Sequence, residues 1–453
     1  MTSLFFTHAL LPDGWAERVR ITVLNGLINA VETNVQPGSA DQCAGVALPG
    51  MPNVHSHAFQ RGMAGLSERR LREEDSFWSW REIMYRFLDR MTPDDVEAIA
   101  AQAYVEMLCG GFTRVGEFHY VHQSPDGTPY ADPAELSVRI ASAAYRAGIR
   151  LTLLPCFYAH ADFGAAPPEP GQRRFVNTLD SYAALLGRLP RLLAALDGAT
   201  LGLAPHSLRA VSADELAALV ALAGDRPIHI HAAEQQREVE ASLAWSGRRP
   251  VEWLLDHVPI DARWCLIHAT HMTSDETARL AATGATVGLC PLTEASLGDG
   301  TFPAVAWQAA GGRIAIGTDS NIQIDVAAEL RQLEYGQRLF TRRRNVLAAG
   351  QGASTGATLF NAALAGGAAV LAAPVPRLAP GAPADIVSLD HDTACFDAAN
   401  DANRLDAWLF AAARSPVCDV WVAGIHLVAD GRHRAADPIR SAYRACVRRL
   451  MLA

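Results

Sequence analysis

Short apolar runs rich in β-branched residues recur along this chain, with amphipathic stretches between them. Runs at 46–54, 112–118, 150–157, 200–205, 227–231, 263–268, 285–290 and 313–318 each read as a buried strand. Helical patterns lie between them at 94–108, 134–147 and 213–223, the last opened by Ser212 as a capping residue. Eight strands alternating with helices over roughly 300 residues predict an α/β fold, a closed (β/α)8 TIM barrel. Active groups of such barrels gather at the carboxyl ends of the strands.

The two ends follow another pattern. Residues 20–31 alternate around Asn25-Gly26, a hairpin signal, and 384–389 and 420–428 also read as strands. A Pro/Ala/Gly-rich stretch at 372–383 marks a boundary. These features predict a small β-sandwich domain built from both termini: 1–47 and 376–453 (the latter with a terminal helix), flanking a metal-dependent barrel over 48–375. No internal repeat stands out beyond Ala-rich helices around 362–373.

Composition narrows the chemistry. A net charge of -9 argues against a nucleic-acid partner, while leaving room for an anionic small molecule in a locally cationic pocket. No stretch is long and apolar enough to span a bilayer and the amino terminus lacks a signal-peptide pattern, so the expected location is the cytoplasm. The eight cysteines are scattered without a CxxC unit, which disfavours thiolate zinc motifs. All 39 basic residues are arginine. There is therefore no Walker A lysine, no Schiff-base lysine and no lysine to carboxylate, and cationic recognition falls to Arg, whose planar fork suits carboxylates.

Polar residues sit where a barrel would place an active site. His55 and His57 follow the first strand, and residues two apart on a strand point the same way. His231 closes the fifth strand, with Glu234 three residues on; His268 closes the sixth and Asp319 the eighth. Singly, each has a structural reading, as a hydrogen-bonded histidine or a helix cap. Together, His55, His57, His231 and Asp319 form a ligand set for one divalent ion, Zn²⁺ first, with iron, manganese and nickel left open. A metal of this kind lowers the pKa of bound water from about 15.7 to about 7. His268 is then placed to take the proton or hold the hydroxide, and Glu234 to carry a proton to a leaving nitrogen, with Asp319 acting beside them. A two-metal version commonly needs a carboxylated lysine after the fourth strand, which here ends in Ala204-Pro205-His206-Ser207. One metal is expected.

At these residues the chain resembles the amidohydrolase superfamily, and its single-metal deaminase branch in particular. Segments 51–65, 77–81, 204–211, 229–235, 290–300 and 317–321 narrow the resemblance to the deiminases that act on N-formimidoyl-L-glutamate in histidine degradation. The resemblance implies attack of metal-bound hydroxide on the formimidoyl carbon, giving N-formyl-L-glutamate and ammonia. It implies cations for two carboxylates, with Arg81 and Arg209 as candidates, and Gln60, Tyr120 and His206 to orient the substrate. It also implies a homodimer. Each candidate has a plainer reading: Arg81 could pair with Glu82 or Asp75, and Tyr120 could be packing. His229 competes with His231 as a ligand, and His119, His122 and His271 read as supporting or structural. Loop 60–92, rich in Arg and Trp, has the character of a lid. Two alternatives stand beside this reading. One is a deaminase of the same superfamily for a cyclic amidine such as a purine or pterin. The other is a metal-binding scaffold without catalysis, which would need neither Glu234 nor His268.

Overall fold

The computed structural model of the chain describes residues 1–70, 73 and 76–452, so Asp75 and part of loop 60–92 lie outside the described residues. The amino-terminal strands are β1 (Thr2–Leu11), β2 (Gly14–Leu24), β3 (Leu27–Glu32) and β4 (Gln42–Pro49). Then come β5 (Met51–Ser56), β6 (Phe112–His119), β7 (Arg150–Phe157), β8 (Thr200–Leu201) and β9 (Ala204–Pro205). They are followed by β10 (Ile228–Ala232), β11 (Trp264–His268), β12 (Thr286–Leu289) and β13 (Arg313–Ile316). The chain ends in β14 (Ile386–Leu389), β15 (Val417–Val422), β16 (Ile425–Ala429), β17 (Arg432–His433) and the helix Ala436–Leu452.

Both ends of the chain share one eight-stranded sheet, in the order β17-β16-β15-β14-β4-β1-β2-β3. The seam is β14, which pairs antiparallel with β4, while β4 lies parallel to β1. Apolar side chains from both ends fill one core there, including Leu4, Phe6 and Ile21 with Ile386 and Trp421. Phe6 meets the edge of Trp421 at 5.8 Å between ring centroids. The terminal helix returns to the middle of the chain, where Arg449 pairs with Asp95.

The middle of the chain forms two all-parallel sheets, β5-β6-β7-β8 with β9 beside β7, and β10-β11-β12-β13. Parallel bridges from Leu203 to Ile228, Ser207 to His231 and Ser56 to Asp319 connect the two sheets. Helices such as Pro93–Cys109 and Glu135–Ala147 join successive strands.

Two boundaries differ from expectation. The run 46–54 is not one strand but β4 and β5, belonging to different sheets and divided at Gly50. A side chain at Gly50 would collide with Thr113, so the chain passes between the sheets only where no Cβ exists. The run 200–205 is likewise broken into β8 and β9, with Gly202 and Leu203 between them.

Polar bonds then fix β5 against the loop after β13. Asn53 is fully buried; its Nδ2 donates to Thr318 Oγ1 at 2.7 Å and its Oδ1 accepts from the His55 and Thr318 amides. Asn321 Nδ2 faces Ser56 Oγ, His57 O and Asp319 O at 3.0–3.2 Å. A Cβ at Gly317 would lie 2.8 Å from His55 Cβ. The strand end carrying the histidine pair and the strand end carrying Asp319 are therefore held as one unit.

Candidate active site

The convergence of His55, His57 and His231 follows from what their other ring nitrogens do. His57 Nδ1 lies 2.9 Å from Phe118 O, and His231 Nδ1 lies 2.8 Å from His206 O. A carbonyl only accepts, so both Nδ1 atoms carry the proton and both Nε2 atoms present lone pairs. His55 Nε2 sits 3.2 Å from each of them. Asp319 Oδ1 lies 3.4 Å from His55 Nε2 and 3.3 Å from His57 Nε2. Burial pushes all three imidazoles below their ordinary pKa, favouring the neutral, ligating form. Three ring nitrogens and a carboxylate oxygen thus point together with too few protons to satisfy them. The donor set fits a divalent cation.

Beside this cluster stand two more ionisable groups. His268 Nε2 is 3.8 Å from Glu234 Oε1 and 3.8 Å from Asp319 Oδ2, and its Nδ1 is 3.2 Å from Glu294 Oε1. Burial works against a charge on His268, but Glu234, Glu294 and Asp319 outweigh it and raise its pKa. Burial raises the Glu234 carboxyl, against the pull of His268 and Arg209. Both His268 and Asp319 have left-handed backbones, φ 67° and 41°. Such conformations are uncommon outside glycine and persist where the surroundings hold them, as the Asn53–Thr318–Asn321 bonds do for Asp319.

A cavity opens over these groups and is lined by His57, His231, Glu234, His268 and Asp319 at its base. Gln60, Arg81, Tyr120, His206 and Arg209 line the same cavity. Every candidate site residue named from the sequence is here, with His55 directly beneath. Gln60 Nε2 donates to Tyr120 OH at 2.8 Å, and among the described residues its buried Oε1 has no partner. Arg209 is buried, and among the described residues its Nε has no hydrogen-bond partner. Burial opposes its charge, but Glu238 and Glu234 sustain it. Arg81 has Glu169 at 3.9 Å, a carboxylate that is largely exposed.

The remaining histidines face elsewhere. His229 Nε2 meets Val370 O and His122 Nε2 meets Cys156 O, each at 2.8 Å. His268, Cys290 and Asp319 also bring ligand atoms within 4.8 Å of one another. Cys290 packs among Val54, Cys265 and Ile267, however, and burial pushes its thiol well up, so it belongs to the apolar floor.

Some supporting groups were not read from the sequence. Glu294 anchors His268, and Asn53 and Asn321 tie the ligand-bearing strand ends together. Glu294 sits 26 residues from its partner, beyond any local spacing rule. The run Cys290-Pro291-Leu292-Thr293-Glu294, an acidic residue in the first turn after a strand, was the available signal.

Comparison with known proteins matches this geometry. A family model described as "Amidohydrolase family" covers residues 46–425. The chain belongs to the amidohydrolase family. A second model, described as "Formimidoylglutamate deiminase HutF, N-terminal domain", covers residues 1–45. The formimidoylglutamate deiminase of Pseudomonas aeruginosa is 50% identical over 96% of this chain and 97% of its own length. An 8-oxoguanine deaminase of the same species is 29% identical over 90% of this chain and 91% of its own. Among solved structures, an amidohydrolase from Brucella melitensis superposes with a TM-score of 0.96 at 54% identity, covering 100% of both chains. This amidohydrolase thus shares a fold across its whole length with that structure, and much of its sequence with a deiminase.

Proposed function

We propose that this amidohydrolase is a formimidoylglutamate deiminase, hydrolysing N-formimidoyl-L-glutamate to N-formyl-L-glutamate and ammonia in histidine degradation. The observation that carries the reading is the buried Arg209, its Nε without a hydrogen-bond partner among the described residues, facing with Arg81 the cavity that holds the histidine cluster. A dicarboxylate substrate supplies carboxylate oxygens that these guanidiniums can bind. The 50% identity to a protein of that name supports it across the chain.

The assignment of roles follows the chemistry. His55, His57, His231 and Asp319 would hold one divalent ion, with zinc the best match to three imidazoles and a carboxylate. When bound, it supplies the Lewis acidity that makes water a nucleophile near neutral pH. His268 Nε2 takes the proton from the attacking water as the new C–O bond forms at the formimidoyl carbon. Glu234 delivers a proton to the terminal nitrogen of the tetrahedral adduct; as the C–N bond breaks and ammonia leaves, the adduct's hydroxyl becomes the formyl carbonyl and its proton returns to the Glu234 carboxylate. Asp319 steadies the protonated His268 through its second oxygen. Arg81 and Arg209 hold the two carboxylates, and Gln60, Tyr120 and His206 orient the formimidoyl end, where the free Gln60 Oε1 can accept an N–H.

The reading includes a closed (β/α)8 barrel over 48–375 and a β-sandwich assembled from 1–47 and 376–453. The bridges from Leu203 to Ile228 and from Ser56 to Asp319 support the closure. A homodimer in the cytoplasm, with no nucleic-acid or membrane partner, completes it; among the described residues no helix is long and apolar enough to cross a membrane.

The test is ammonia release by the metal-loaded protein from N-formimidoyl-L-glutamate, run beside guanine, 8-oxoguanine and a pterin. Turnover of a cyclic amidine with none of the linear substrate would transfer the protein to the purine-deaminase side of its family.

A further inference from the structure

The helix Phe77–Leu88 begins at Ser76, whose side chain accepts from the Trp78 amide at 3.3 Å. That cap fixes Trp78 in the first turn, and its half-buried indole becomes the meeting point of three cations. The guanidinium carbon of Arg237 lies 4.4 Å from the Trp78 ring centroid, that of Arg81 lies 4.7 Å away and that of Arg209 lies 5.7 Å away. These arginines come from separate places: Trp78's own helix, the segment after β9, and the helix Gln236–Ser246. Among the described residues neither Arg209 nor Arg237 has a carboxylate within ion-pair distance; Glu238 and Glu234 act on Arg209 from further off, and Arg81 has the largely exposed Glu169 at 3.9 Å. Three like charges around one point repel, more so where water is scarce. The negative face of an indole attracts guanidinium ions and partly offsets that repulsion.

We propose that Trp78 is the positioning residue for the carboxylate end of the substrate, a role that rests on the deiminase reading for its substrate. Its ring holds Arg81 and Arg209 apart at a spacing that a dianion, but not a monoanion, can neutralise. Arg237 is exposed and stands at the rim, where its charge draws the dianion in. Specificity for a dicarboxylate then arises from a cluster of cations that is left under-neutralised by any singly charged substrate. Trp78 acts through the arginines, so its loss should appear in binding and leave the chemical step alone.

The experiment compares the metal-loaded wild type with Trp78→Leu and Trp78→Phe. Substrates are N-formimidoyl-L-glutamate and N-formimidoyl-4-aminobutyrate, which lacks the α-carboxylate. Trp78→Leu should raise KM for the dicarboxylate at least tenfold with kcat within threefold, and Trp78→Phe should restore most of the loss. The preference for the dicarboxylate should shrink by the same factor. Equal losses on both substrates, an unchanged KM, or a fall in kcat together with metal content would overturn the proposal. Glutarate and butyrate, titrated by calorimetry, read the same contrast without turnover and with Arg237→Gln as a second variant. Glutarate should weaken at least tenfold in Trp78→Leu and about threefold in Arg237→Gln, with butyrate unmoved; no change in either variant would overturn it. A wild type that binds glutarate in this way but releases no ammonia rejects the deiminase reading and leaves the role of Trp78 standing.

Discussion

His268 turns its Nδ1 toward Glu294 Oε1 at 3.2 Å, and this pairing leaves its Nε2 facing Glu234 and Asp319. Glu294 also accepts the Cys290 amide at 2.9 Å, so its carboxylate is itself held in place. The consequence is an imidazole with one orientation, one tautomer and a partner that stabilises its protonated form. Glu294→Gln keeps the shape and removes the charge. A charge-assisted hydrogen bond is worth about 1.5–3 kcal/mol, so kcat should fall about 10- to 100-fold. KM and metal content should stay near wild type. Steady-state kinetics with metal analysis on the purified variant would check this, and an unchanged kcat would remove Glu294 from the proton path.

Glu234 gives a prediction with a pH sign. In the proposed mechanism its proton is the one delivered to the leaving nitrogen, which makes the protonated form the active one. Burial raises its pKa above the ordinary 4.5, against His268 and Arg209. Activity that depends on this proton is full below the raised pKa and falls as pH climbs through it. An exposed glutamate would lose the proton already in acid. Glu234→Gln removes the transfer and should lower kcat by about 10²- to 10⁴-fold while metal remains bound. A pH–rate profile and a metal assay together test it; a Gln variant with the wild-type rate would rule out the proton transfer.

How far the site was legible depends on how local each signal is. His55, His57, His231, Glu234, His268 and Asp319 sit at strand ends, and strand ends can be read from apolar runs. Eight runs located the parallel strands, although the first concealed a passage between two sheets at Gly50. That passage depends on contact with Thr113, 63 residues on, and no periodicity reports such a contact. Glu294, Asn53 and Asn321 escaped for the same reason: their partners come together only in space. Arg81 and Arg209 were reached through family resemblance, and Arg237 and the Trp78 ring were not reached at all. A cation on an indole has no sequence spacing.

Metal removal should be felt in stability as well as rate. His57 and His231 spend their Nδ1 protons on backbone carbonyls, and His55 Nδ1 is buried with no partner among the described residues. Without a cation, lone pairs and a carboxylate confront one another. An ion present at a thousand times its Kd stabilises the fold by about 4 kcal/mol. Chelation should abolish ammonia release and lower Tm by several degrees, and one equivalent of Zn²⁺ per chain should restore both. Equal Tm with and without the ion would mean that these residues do not bind it.

Glu117 lies one residue before Phe118, whose carbonyl fixes His57, and its Oε1 accepts the Ala58 amide at 2.8 Å. Burial pushes its carboxyl up to about 8. In the unfolded chain the same group titrates near 4.3, about the ordinary glutamate value. Below that pH both states hold the proton and its contribution to stability is fully present. As pH rises toward 8 the unfolded chain releases a proton that the folded chain keeps, so stability declines by about 1.4 kcal/mol per pH unit. Above 8 both states have released it and the slope vanishes. Glu117→Gln carries no such proton and should lose this slope, so that its Tm relative to wild type rises between pH 5 and pH 8 in metal-free protein. Thermal melts at the two pH values measure the difference. A Gln variant whose Tm tracks wild type across that range would show that Glu117 stays ionised in the folded chain.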